Sequence, residues 1–146
     1  VEKTRRMARG LCPIYLNENA IVPAIRDFAG NISEVFGVDC TFASDRKIII
    51  RDNTTAVHLY NIIQESVNNA IRHGRAKKIA IRLRAAGGRI YLTVEDNGKG
   101  IGAALKTGEG LGINIMKYRA AVIGATLEIV GRKGGGTTVS CVINQK

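Results

Sequence analysis

The sequence predicts an α+β fold, a two-layer α/β sandwich in which one mixed, mostly antiparallel sheet carries helices on a single face. Segments of helical period alternate with paired segments of strand period, in the order helix, hairpin, helix, hairpin, glycine-rich loop, helix, hairpin. Strands joined by short turns pair antiparallel, and the intervening amphipathic helices must bury their apolar stripes on the sheet they connect. The 146 residues, 45% hydrophobic and 23% charged, suit one compact domain and exclude wholesale disorder. No run approaches the roughly 18 consecutive apolar residues of a membrane span, and no basic-then-apolar leader opens the chain, so a soluble piece is expected.

Each element has its own signal. Residues 2–10 form a basic, helix-favouring stretch ahead of Pro13, an appendage to the sandwich. From Asn17, the residues Ile21, Ile25, Phe28, Ile32 and Val35 recur at steps of three and four, which marks an amphipathic helix ending at Gly37. Segments 38–42 and 47–51 read as two short strands around Ser44-Asp45, a hairpin. Asp52-Asn53-Thr54 offers an N-cap to a long helix through Val57, Tyr60, Ile63, Val67 and Ile71 to Gly74. Segments 77–84 and 89–95 alternate strictly around Gly87-Gly88, the clearest hairpin in the chain. A helix over 111–123, closed by Gly124, precedes a last hairpin of 127–130 and 138–143.

Charge and cysteine usage narrow the function classes. The formal charge of +10 is uneven, +1 over residues 1–53 and +9 over 54–146. Such an excess points to a polyanion. Aromatic residues make up only 5%, with no Trp, which argues against a base-stacking platform for nucleic acid. Cys12, Cys40 and Cys141 share no metal-type spacing and are odd in number, so buried thiols in a reducing cytoplasm are expected.

Four clusters carry polar chemistry. Glu65, Asn69, Arg72 and His73 fall on one helical face, opposite Tyr60, Ile63, Val67 and Ile71. Asn69 can offer a hard oxygen to Mg²⁺, and Arg72 and His73 can meet phosphate oxygens. At the end of a strand, Asp96 precedes Asn97-Gly98-Lys99-Gly100; a buried carboxylate accepts well from an exocyclic amino group such as that of adenine. Gly108-Glu109-Gly110-Leu111-Gly112 opens a helix, where backbone N–H groups can cradle an anion. Gly136-Thr137 places a hydroxyl at the start of the final strand. Taken singly, these are a solvated helix face, an everyday turn, a surface loop and a hairpin.

Their order and spacing together resemble the ATP-binding domain of sensor histidine kinases, within the superfamily of gyrase, heat-shock chaperone and mismatch-repair ATPases that share the Bergerat fold. Residues 64–73, Gln-Glu-Ser-Val-Asn-Asn-Ala-Ile-Arg-His, match the family's N box. Residues 96–100 match its G1 box, residues 108–112 its G2 box, and Gly136-Thr137 its closing Gly-Thr. The resemblance covers residues 38–146. It lacks the family's Phe-containing box, and seven residues separate Gly100 from Gly108, as in the short-lid class.

The resemblance implies Mg-ATP as ligand, with Asn69 as metal ligand and Glu65 as candidate base or polar positioning group. Arg72, His73 and Lys117 (with Arg119 beside it) would stand near the phosphates. Asp96 would accept from the adenine amino group, with Thr137 in support. Gly98, Gly100, Gly108, Gly110 and Gly112, with Leu111, would form the lid. It further implies an ATP-dependent protein histidine kinase whose partners are a response-regulator receiver domain, with a helix-turn-helix output, and a second copy joined through an upstream hairpin. Residues 1–37 would then be the tail of that dimerisation hairpin and its linker helix, and 38–146 the ATPase domain. Neither His58 nor His73 fits the phosphoacceptor, so the chain reads as a cytoplasmic fragment of a larger sensor, with a membrane anchor left open. The alternatives are a degenerate nucleotide- or partner-binding module, an anti-sigma-type serine kinase and a nucleic-acid-binding domain; direct nucleic-acid binding is not expected.

Overall fold

A computed structural model describes residues 20–45, 48–100 and 111–144. The predicted helix at 2–10, with Gly108, Gly110 and the side chain of Leu111, lies outside the described residues. Among the described residues, three helices and five strands follow in the order α1 (Ile21–Phe36), β1 (Asp39–Ser44), α2 (Asn53–Arg72), β2 (Lys78–Ala86), β3 (Arg89–Asp96), α3 (Leu111–Val122), β4 (Thr126–Gly131) and β5 (Thr137–Asn144). The sheet order is β1-β2-β3-β5-β4. β1 runs parallel to β2, and the other neighbours are antiparallel.

Alternation along the strands fixes which side of the sheet is covered. Ile79, Ile81 and Leu83 of β2, Ile90, Leu92 and Val94 of β3, and Val139, Cys141 and Ile143 of β5 are buried, while their neighbours stand on the opposite face. A period of two turns successive side chains to opposite sides, so one face meets the helices. α2 meets it with Leu59, Ile62, Ile63 and Val67, all fully buried. Each such side chain stabilises the fold by about 1.5–3 kcal/mol relative to leaving it in water. α1 joins the same core through Ile21, Ile25, Phe28 and Ile32. The division drawn at residue 37 therefore does not coincide with a gap in the packing.

The first hairpin predicted from the sequence does not form. Segment 38–42 does enter the sheet, as β1, but pairs in parallel with β2, from Asp39↔Lys78 to Ser44↔Leu83. Residues 48–51 make no strand. The pairing with β2, distant in sequence, prevails over the local one. β2 takes one side of β1, and its backbone also holds Asp45, whose N–H donates to the Leu83 carbonyl (3.1 Å) and whose Oδ2 accepts from the Ala85 N–H (2.9 Å). Ser33 of α1 closes on β1, its hydroxyl bonding both the N–H and the carbonyl of Cys40 at 3.0 and 3.1 Å. Ile48 and Ile50 bury their side chains in the core without a ladder.

The connection from β1 through α2 to β2 explains why the polar file of α2 ends at the sheet's rim. Asp52 caps the start of α2, with Oδ2 accepting from the Thr55 N–H and hydroxyl. Among the described residues no helix is long and apolar enough to cross a membrane. Cys40 and Cys141 are buried free thiols, and burial pushes them up to about 12 and about 11. At those values they stay protonated and inert.

Candidate functional site

Four chain segments meet where α2 ends. The last turn of α2 closes on the Asn69 carbonyl, which accepts from the N–H groups of both His73 and Gly74. The Gly74 carbonyl then accepts from the Lys99 N–H at 2.8 Å, bringing in the loop after β3. Asn97 fastens the same junction from the other side, its Oδ1 accepting from Lys77 and Lys78 N–H at 2.9 Å each. A Cβ at Gly98 would stand 2.5 Å from the Gly74 carbonyl oxygen, so only a glycine lets the two backbones lie this close. The start of α3 reaches the cluster at Gly112, which packs directly on the Glu65 carboxylate.

Asp96 occupies the end of β3 and is 6% exposed. Burial raises its carboxyl above the ordinary carboxylate range. The backbone N–H groups of Gly98 and Thr137 and the charge of Arg132 pull the other way. Oδ1 accepts from the Gly98 N–H at 2.8 Å. Beside it, Thr137 is buried and its Oγ1 has no partner. The Asn69 Nδ2, on α2, is likewise buried and unpaired, as are Gln64 Oε1 and Asn68 Oδ1. Each unpaired buried polar atom costs about 1–3 kcal/mol. The Asp96 carboxylate and the Thr137 hydroxyl can serve an amino group and its neighbours, and the Asn69 Nδ2 can donate to a phosphate oxygen.

Over residues 54–146 the chain matches the family described as histidine kinase-, DNA gyrase B-, and HSP90-like ATPase. The chain belongs to this ATPase family. Its relatives include the sensor histidine kinase LiaS of Bacillus subtilis, 37% identical over 56% of this chain, and the nitrate/nitrite sensor protein NarQ of Escherichia coli, 32% identical over 87% of it. In each case the chain covers 23% of the relative. The histidine kinase domain of the blue-light activated histidine kinase from Erythrobacter litoralis EL346 superposes with a TM-score of 0.70 at 23% identity, over 97% of this chain and 69% of that one. The catalytic domain of histidine kinase ThkA gives 0.70 at 17% identity, over 90% and 95%. These likenesses are of fold, and they agree with the sandwich described above.

Within this ATPase domain the residues singled out by sequence separate into groups. Glu65 and Asn69 are half-buried on α2, Asp96 ends β3, Thr137 begins β5, Gly112 lies in the first turn of α3, and Gly98 and Gly100 lie in the loop after β3. Arg72 and His73 are exposed on the last turn of α2, and Lys117 is exposed on α3. Arg119 is not brought to this rim. Its Nη1 lies 3.2 Å from His58 Nδ1, and His58 precedes Asn69 by eleven residues, about 16 Å along α2. Burial and the Arg119 charge hold His58 below its usual value, so it accepts in the neutral form. Two residues were missed: Asn97, whose side chain ties the G1 loop to the start of β2, and Arg132, whose guanidinium reaches the Asp96 carbonyl. Nothing local in a Gly-Arg-Lys-Gly turn marks an arginine for a partner 36 positions away.

Proposed function

We propose that this domain binds Mg-ATP at the rim where α2, β3, β5 and α3 converge, and that in the longer protein it serves phosphoryl transfer to a histidine for relay to an aspartate of a response regulator. The observation that carries the reading is a buried carboxylate, Asp96, with the unpaired Thr137 hydroxyl on the neighbouring strand and an unpaired Asn69 amide nitrogen on α2. The ionised carboxylate accepts only, so it favours a base that presents an amino group. The Thr137 hydroxyl can donate and accept, which suits a bridging water or a ring nitrogen.

Among the described residues no group of three His, Cys, Asp or Glu side chains could hold a metal by itself. Magnesium retains water and shares phosphate oxygens, so one amide oxygen from Asn69 is a sufficient protein contribution. Bound there, magnesium would supply charge neutralisation of the triphosphate. Arg72 and His73 on the last turn of α2 and Lys117 on α3 are free to reach further phosphate oxygens. Glu65 orients or deprotonates from its place against Gly112. Gly98, Gly100 and Gly112 leave room for the triphosphate beside the backbone. Phosphoryl transfer asks of the protein mainly position and charge, which this set supplies.

For the whole protein, residues 1–37 are the end of a dimerisation hairpin and its linker, with the phosphoacceptor histidine further upstream. Titration of the chain with Mg-ATP tests the core of the reading. Asp96→Ala and Asn69→Ala are each expected to weaken binding by about tenfold or more while the fold, followed by circular dichroism, persists. Unchanged affinity in both variants would overturn it.

A further inference from the structure

We propose that Arg132 is a positioning residue for purine recognition, holding the end of β3 so that the Asp96 carboxylate faces the amino group of the base. The inference rests on the reading of Asp96 given above. Arg132 lies in the turn between β4 and β5. Its own backbone closes that turn, with Arg132 N–H donating to the Gly136 carbonyl at 3.0 Å and Gly135 N–H donating to the Arg132 carbonyl at 3.1 Å. Its side chain leaves the turn, and Nη1 donates to the Asp96 carbonyl at 2.9 Å. Nη2 stands 3.9 Å from Glu95 Oε2, with the two side chains 39% and 32% exposed.

The position of that carbonyl explains why it needs a donor. The β3–β5 ladder runs from Arg89↔Asn144 to Glu95↔Thr138 and stops there, so Asp96 lies one residue past the last pair. On the β2 side Asp96 is still in register, opposite Ile79. Arg132 therefore supplies toward β5 what the ladder no longer does. Gly136 packs on the same Asp96 carbonyl, and the next residue is Thr137, whose N–H faces the Asp96 carboxylate. One side chain thus ties together both strands that frame the base. The bond to the carbonyl is charge-assisted and half-buried, whereas the exposed pair with Glu95 is worth little. The planar guanidinium reaches carbonyl and carboxylate with separate nitrogens, a fork that lysine lacks.

The test uses two probes with magnesium present: ATP, and the triphosphate of purine riboside, which lacks the 6-amino group. Arg132→Gln is expected to weaken ATP by about tenfold and leave purine riboside triphosphate within about twofold, so that discrimination between them collapses. Arg132→Lys, which keeps the charge and a donor but not the fork, is expected to recover part of the discrimination and stands in for Arg132→Gln if that variant does not fold. A discrimination ratio unchanged from the parent, whether both affinities hold or both fall together, overturns the proposal and leaves Arg132 a structural tie. Asp96→Asn separates the two levels. If it removes the discrimination while the Arg132 variants keep it, only this inference fails; if it leaves the discrimination intact, the reading of Asp96 fails and takes the inference with it.

Discussion

β3 has glycine at both of its ends, and the two ends are built for different purposes. At the start, Gly87 and Gly88 turn the β2–β3 hairpin with φ of 58° and 75°, and a Cβ at either would meet nothing within 4 Å. At the other end Gly136 presses on the Asp96 carbonyl and Gly98 on that of Gly74, so backbone lies on backbone. The polar groups divide the same way. All four buried side-chain atoms without a partner among the described residues, Gln64 Oε1, Asn68 Oδ1, Asn69 Nδ2 and Thr137 Oγ1, lie in the later part of α2 or at the start of β5. Early in α2, by contrast, Asp52 bonds Thr55 and His58 meets Arg119. One end of the sheet is finished as a fold, and the other keeps hydrogen-bonding capacity in reserve for a ligand.

The comparison breaks most severely at Gly136. An alanine there must adopt φ near 101° and drive its Cβ into the Asp96 carbonyl, with Asn97 Cα only 3.1 Å away. Neither obstacle is the end of a flexible side chain, so the strands have to part. Gly136→Ala is expected to cost about 3–4 kcal/mol, lowering the melting temperature by roughly 10 °C, and to abolish nucleotide binding. Thermal melts with and without Mg-ATP check both parts. A variant that melts like the parent and is still stabilised by nucleotide would show that the close approach is dispensable.

A smaller structural effect, of opposite sign, is expected at Asp96. Asp96→Asn keeps an oxygen for the Gly98 N–H but removes the buried charge. Burial raises the folded pKa above 3.8, so the native state holds this proton more tightly than the unfolded chain. The stability it contributes is complete below about pH 3.8 and is lost as pH rises through the folded value. Asp96→Asn should therefore melt above the parent at pH 7, with the advantage shrinking as pH falls toward 4, while ATP affinity drops by roughly tenfold to a hundredfold. An Asn variant less stable than the parent at neutral pH would mean that the contacts to Gly98, Thr137 and Arg132 outweigh the cost of burial.

What could be read in the sequence follows the same division. α2 and the β2–β3 hairpin were legible because period and alternation are local properties, and Tyr60, Ile63 and Val67 or Ile79, Ile81 and Leu83 carry them within one element. The polar boxes were legible as residue types at fixed spacing. Pairing choices were not. Ile48 and Ile50 alternate like a strand, yet β1 takes its partner from β2, 39 positions away, and leaves them to the core. Arg119 follows the phosphate-contact spacing, yet an antiparallel neighbour carries it to His58. Nor does composition separate a glycine that turns a chain from one that admits another backbone, since that depends on what packs against it.

Gly87 sharpens the comparison with the smallest effect. Its φ of 58° lies in the left-handed region, which an L-residue enters at a cost of about 1–2 kcal/mol, and no neighbour stands in the way of a side chain. Gly87→Ala is therefore expected to lower the melting temperature by only about 3–6 °C and to leave Mg-ATP affinity unchanged. Gly87→Asn should lose less still, because asparagine tolerates this conformation and favours such turns. Reversal of that order would show that the side chain meets an obstacle. A change in nucleotide affinity would show that the two ends of β3 are mechanically coupled, so that strain in the hairpin turn reaches Asp96 along the strand.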